Sequence, residues 1–94
     1  MKTADLFRLD GKVALVTGGG RGIGKFIATG LAEAGANLVI ASRKMKNLEA
    51  AAAEIRQACG VEVLPVTCDV AKEEQIDGLV KAALSTFGRI DILV

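Results

Sequence analysis

Apolar positions along the chain alternate between two patterns. Val13-Ala14-Leu15-Val16, Leu38-Val39-Ile40-Ala41 and Ile90-Asp91-Ile92-Leu93-Val94 are short, nearly continuous apolar runs, the pattern of strands buried on both faces. A further strand is expected over residues 61–66. Between these runs the apolar residues recur at helical spacing: Ile23, Phe26, Ile27, Leu31 and Ala34; then Leu48, Ala52, Ile55 and Cys59; then Ile76, Leu79, Val80, Ala83 and Phe87. Gly35, Gly60 and Gly88 follow the three stripes, where a helix wants a left-handed C-terminal residue. Strands alternating with helices predict the α/β class, with parallel strands joined by crossover helices.

The only proline, Pro65, falls in the third strand. It lacks the N–H that a central strand needs on both sides, so this strand belongs at a sheet edge. Right-handed crossovers from the first strand through the second to the third, then a return beside the first, predict the order 3-2-1-4. That is the first half of a doubly wound parallel sheet. No linker, low-complexity tract or other repeat interrupts residues 1–94, which read as part of a single domain. Residues 1–10 read as a loosely held arm, from which Leu6, Phe7 and Leu9 can pack under the sheet.

Directly after the first strand comes Thr17-Gly18-Gly19-Gly20-Arg21-Gly22-Ile23-Gly24, opening the first helix. Residues without side chains let the backbone turn sharply and approach a ligand, while free N–H groups and the positive helix end favour phosphate. A turn that serves packing alone is the alternative. The strict Gly-x-Gly-x-x-Gly pattern is not met, because residue 23 is Ile; the spacing is Gly18-x-x-x-Gly22-x-Gly24. Gly19 to Lys25 also satisfies the front of a nucleotide-triphosphatase loop. There, however, Phe26 stands where a hydroxyl should hold magnesium, and an aromatic ring cannot replace that ligand.

Composition narrows the chemistry. The chain has 94 residues, 51% of them apolar, and a mean hydropathy of +0.41, enough for one cored domain. Twelve basic against eleven acidic residues leave a net charge of +1, which supplies no global field to recruit nucleic acid or an anionic membrane. Phe7, Phe26 and Phe87 are the only aromatics, too few to stack single-stranded bases. Histidine is absent, which removes the commonest general base and metal ligand. Cys59 and Cys68 have no Cys-x-x-Cys spacing or His partners, so they read as reduced packing residues and no metal site is expected. With no signal peptide or membrane span in the pattern, a cytoplasmic location is expected.

Thr17-Gly18-x-x-x-Gly22-Ile23-Gly24 after a first parallel strand resembles the short-chain dehydrogenase/reductase family, in its "classical" subgroup. The resemblance extends over the lead-in Leu9 to Thr17, over Cys68-Asp69-Val70 after the third strand, and over Gly88 to Val94 at the fourth. It implies a Rossmann-type fold in which Gly18, Gly20, Arg21, Gly22 and Ile23 line the pyrophosphate and adenosine ribose. In the same arrangement Gly24 allows close helix packing, and Asp69 and Val70 meet the adenine. From the residues alone, Asp69 is equally readable as the N-cap of the third helix, with Glu73 and Glu74 in its first turn.

An NAD site usually has an acidic residue at the end of the second strand, about 20 positions past the glycines. Here that place reads Ser42-Arg43-Lys44. Ser42 can donate to a 2′-phosphate and Arg43 can form charge-assisted hydrogen bonds worth roughly 1.5–3 kcal/mol each, so NADP is expected over NAD. By the resemblance, Arg21 approaches the same phosphate from the other side. A solvated start to the second helix is the bland alternative for Arg43, Lys44 and Lys46.

The family's reaction is hydride transfer between nicotinamide and a carbonyl or alcohol, with Tyr as acid/base, Lys lowering its pKa and Ser orienting the substrate. This chain contains no Tyr, so no catalytic residue carries over. It stops before the Asn-Asn-Ala-Gly segment that follows the fourth strand in the family, and is read as the N-terminal part of a longer enzyme. By itself it is expected to be inactive and poorly soluble. The resemblance implies a small-molecule carbonyl or alcohol substrate, sugar-acid, polyol or 3-oxoacyl, and a homo-oligomer, a tetramer in the family. A non-catalytic dinucleotide-binding regulator and a triphosphatase are the alternatives.

Overall fold

The computed structural model describes residues 8–18 and 22–94. Seven elements follow one another: β1 (Val13–Thr17), α1 (Gly22–Glu33), β2 (Asn37–Ser42), α2 (Met45–Cys59), β3 (Val63–Thr67), α3 (Glu73–Phe87) and β4 (Ile92–Leu93). All strand pairs are parallel and the sheet order is β3-β2-β1-β4, as the position of Pro65 and the crossover rule require. In register, Val13 stands beside Asn37, Ala14 beside Ile92, and Ile40 beside Pro65.

The continuous apolar runs are explained by two cores, one on each face of the sheet. Ala14, Val16, Leu38 and Ile40 point to one face and meet Ala28 and Ala32 of α1 with Leu48, Ala52 and Ile55 of α2. Val13, Leu15, Val39 and Ala41 point to the other and meet Leu79 and Ala83 of α3, together with Cys68. Because successive side chains of a strand alternate in direction, a strand covered on both faces cannot alternate in polarity. This is the doubly wound arrangement.

Several expectations need correction: the third strand runs over Val63–Thr67 and not over residues 61–66, and Ile76 and Val80 of α3 are exposed beside the buried Leu79 and Ala83. Ile23 and Phe26 do not belong to the buried stripe of α1; they are 79% and 81% exposed. The helix instead meets the sheet through Ala28 and Ala32, with Leu31 partly buried beside them, because small side chains let the helix backbone lie close to the strands. The fourth strand is shorter than residues 90–94, being Ile92–Leu93: before it, the Asp91 N–H donates to Val13 O at 2.8 Å while the Asp91 carboxylate accepts the Val13 N–H at 2.9 Å, and Arg89 binds that carboxylate at 2.7 and 2.8 Å. Asp69 is not the N-cap of α3. The helix starts after Lys72, while the Asp69 carboxylate accepts the Ala71 N–H at 3.0 Å and its carbonyl accepts the Lys72 N–H at 2.9 Å, closing a turn one step earlier.

Helix ends follow the expected chemistry. Gly60 and Gly88 adopt left-handed φ of 70° and 77° and return their N–H groups to Arg56 and Leu84 carbonyls. Gly35, at φ 104°, carries a further constraint: a Cβ there would overlap the Asp10 carboxylate and crowd the Arg8 guanidinium. Those two side chains pair with each other, Arg8 also donates to the Glu33 carbonyl at 3.3 Å, and Leu9 N–H donates to Ala34 O at 2.7 Å. The segment before β1 is thereby tied to the α1–β2 turn. Leu6 and Phe7, expected to pack under the sheet, lie outside the described residues.

Two outcomes are expected. Gly35→Ala should destabilise the fold by more than Gly60→Ala, for which the left-handed conformation alone costs about 1–2 kcal/mol, because only at position 35 must the added methyl also displace the Arg8–Asp10 pair. Denaturant midpoints of the two variants check this, and equal losses would contradict it. Asp91 is held below the ordinary aspartate value of 3.8, first by its hydrogen bond from Arg89 and then by the Val13 N–H. A depressed folded-state pKa contributes stability that is present above 3.8 and lost as pH falls through the lower folded value. Wild type should therefore exceed Asp91→Asn in stability near neutral pH, and the gap should close in acid; a pH-independent gap in thermal unfolding would refute the role.

Candidate functional site

In a parallel sheet every strand ends at the same side, and the loops leaving β1, β2 and β3 converge there. Thr17, Gly18, Ala41, Ser42, Arg43, Cys68, Asp69 and Val70 line a single cavity of about 420 Å³ at that edge. Five of these, Gly18, Ser42, Arg43, Asp69 and Val70, are residues that the sequence singles out. Thr17, Ala41 and Cys68 are the additions. Their signal was available in principle, since Thr17 ends β1, Ala41 is the last but one residue of β2 and Cys68 follows β3, but alone each reads as a core or ladder position.

The first loop is built around glycine conformation. Gly18 has φ 72° and its N–H donates to the Ala41 carbonyl at 2.6 Å, which binds the start of the turn to the end of β2. Gly22 has φ 64° and opens α1. Among the described residues, no atom beyond the chain neighbours lies within 4 Å of a Cβ added at either position. The first turn of α1 contains no acidic residue, and the N-terminus of a helix is an electrostatically favourable place for an anion. Ile23 is exposed and Gly24 half-buried. Gly20 and Arg21 lie outside the described residues.

Thr17 secures the other flank. Its N–H and its hydroxyl both donate to the Val94 carbonyl, each at 3.2 Å, so the end of β4 is held beside the end of β1. At the end of β2, the half-buried Ser42 accepts the Lys44 N–H on Oγ at 3.3 Å, and Arg43 is exposed. No side chain caps α2, whose first turn also lacks an acid. Arg43, Lys44 and Lys46 therefore stand at the positive end of a helix, where cations are disfavoured unless an anion is present.

On the third loop, Cys68 is buried and its N–H donates to the Ser42 carbonyl at 2.8 Å. Asp69 is half-buried, its N–H donating to Gln75 Oε1 at 2.7 Å, while Val70 is exposed. Lys25, the lysine of the triphosphatase pattern, is paired with Glu54 of α2 at 2.5 Å and so braces α1 against α2. Away from the cavity, burial first and the nearby Glu33 second raise the Cys59 thiol above its ordinary pKa, which suits a packing residue and not a nucleophile. Among the described residues, no cluster of His, Cys, Asp or Glu has the makings of a metal site, and no helix is long and apolar enough to cross a membrane.

The family model described as short chain dehydrogenase matches residues 12–94. An uncharacterized oxidoreductase of Mycobacterium tuberculosis is 48% identical over 90 residues, which cover 96% of this chain and 34% of that protein. The crystal structure of L-sorbose reductase from Gluconobacter frateurii, complexed with NADPH and L-sorbose, superposes with a TM-score of 0.90 at 42% identity; the match covers 93% of this chain and 33% of that one. A metagenomic short-chain oxidoreductase in complex with NADP superposes with a TM-score of 0.84 at 39% identity, over 90% of this chain and 38% of that one. The chain thus spans about a third of the length of the relatives it matches. With the glycine spacing, the sheet order and the family model in agreement over nearly its whole length, this chain belongs to the short-chain dehydrogenase/reductase family.

Proposed function

We propose that this chain is the NADP(H)-binding part of an oxidoreductase that interconverts a carbonyl and an alcohol. The observation that carries the reading is the end of β2. Where a carboxylate would accept the 2′-hydroxyl of NAD and repel a phosphate, Ser42 and Arg43 face the same cavity as Gly18 and Asp69. The cationic, uncapped start of α2 adds to it, since a 2′-phosphate would relieve the repulsion between Arg43, Lys44, Lys46 and the helix N-terminus. The likeness to proteins solved with NADPH and NADP supports the same choice.

The residues at hand fit a dinucleotide. A pyrophosphate would sit at the α1 N-terminus beside Gly18 and Gly22, where no atom of the described residues would crowd an added Cβ, and the family resemblance assigns Gly20, Arg21, Ile23 and Gly24 to the same turn. Ser42 and Arg43 would hold the 2′-phosphate, and Asp69 and Val70 would flank the adenine. When bound, the nicotinamide accepts or donates the hydride. The groups of this chain bind and orient; the proton-transferring Tyr of the family has no counterpart among its 94 residues. The substrate is therefore a property of the longer protein, and the likeness to L-sorbose reductase supports a sugar or polyol carbonyl. A homo-oligomer is the assembly expected of that longer protein.

The triphosphatase alternative loses ground on one contact. Lys25 is engaged by Glu54 of α2, besides the unsuitable Phe26.

Arg43→Ala should raise the Kd for NADP(H) by about tenfold to a hundredfold while changing that for NAD(H) by less than about twofold. Titration of the complete protein with each cofactor checks this, and equal changes for both would refute the 2′-phosphate assignment. Ser42→Asp should go further and reverse the preference in favour of NAD(H), because the new carboxylate repels the phosphate and accepts the free hydroxyl. Retained NADP(H) preference in that variant would put the phosphate elsewhere.

A further inference from the structure

In the sheet order β3-β2-β1-β4, β3 pairs on one side only. At the β3 edge, Leu38 N–H donates to Glu62 O at 2.9 Å and Cys68 N–H donates to Ser42 O at 2.8 Å, so the even-numbered residues of this segment exchange their bonds with β2. Backbone groups alternate in direction along a parallel strand, and Val63, Pro65 and Thr67 consequently turn theirs away from β2, to the outer edge. Pro65 occupies the middle of these three positions and has no N–H to offer. The carbonyl of Val63 is already taken, by the guanidinium of Arg56 at 2.5 Å, reaching over from the last turn of α2. A strand approaching this edge meets a missing donor at its centre and an occupied acceptor at its start.

Exposed strand edges template association with other strands, and proline and long cations are means of blunting them.

We infer that Pro65 and Arg56 act together as a guard that prevents an extended segment, above all the β3 edge of a second copy of this protein, from adding to the sheet. The guard is a property of the backbone edge, separate from the cofactor cavity. It therefore stands or falls independently of the proposed NADP(H) site.

The test is to make Pro65→Val, Arg56→Ala and the double variant in the complete protein, and to follow self-association by sedimentation velocity over a concentration series. The double variant should associate at roughly tenfold lower concentration than the parent, and each single variant by a smaller shift. Adding Thr67→Pro to the double variant, which removes a donor at another outward position, should return association to the parental level. Unchanged association in a double variant with the parental circular dichroism spectrum overturns the inference, as does association that Thr67→Pro does not reverse. Should the double variant fail to fold, Pro65→Val decides alone: with a parental spectrum and no added association it refutes the guard.

Discussion

Everything in this structure depends on β1 being enclosed on four sides. β2 and β4 pair with its two edges, and helices cover both of its faces, so Val13, Ala14, Leu15 and Val16 are all withdrawn from water. Burial of a Val or Leu side chain contributes roughly 1.5–3 kcal/mol, and here both sets of alternating positions gain it. Parallel neighbours can be reached only by crossovers, which is why α1 and α2 lie against one core and α3 against the other. The Asp91 carboxylate that takes up the Val13 N–H completes the enclosure at the point where pairing with β4 begins.

The same constraint creates the cavity. Because the strands run in parallel, the loops leaving β1, β2 and β3 and the N-termini of the helices that follow are gathered at one side of the sheet. Gly18 bonded to Ala41, Cys68 bonded to Ser42, and Thr17 bonded to Val94 link adjacent strand ends into one rim. Hydrogen bonds made between strands hold the strand ends of this rim together.

At the outer edge, β3 is closed by its own chemistry. Pro65 is compatible with the sheet because its missing N–H falls on the outward side, and Arg56 answers a carbonyl that β2 does not reach. The face of α1 away from the sheet, with Phe26 and Ile23, and the end of β4 remain apolar and exposed. Both belong to a chain that spans about a third of its relatives' length.

By itself the sequence determined the class, the order of elements, the sheet order and the position of the glycine turn, because each rests on a local rule. Continuous apolar runs mean burial on two faces, one proline excludes a central strand, and a glycine turn between strand and helix suits a phosphate. It also identified Gly18, Ser42, Arg43, Asp69 and Val70, which the structure gathers into one cavity. Tertiary structure decided what spacing cannot encode. Helical periodicity marks Ile23 and Phe26 as readily as Ala28 and Ala32, and only the close approach of α1 to the sheet selects the alanines. Asp69 has the chemistry of a helix cap, but the turn it closes ends before α3 begins. Asp91 reads as a strand residue until its carboxylate meets the Val13 N–H, 78 positions away in the chain. For Ile23, Phe26 and Asp91 the deciding partner is distant in sequence, so the residue's own neighbourhood holds no record of it; Asp69 is decided locally, by the Ala71 and Lys72 N–H groups that it accepts.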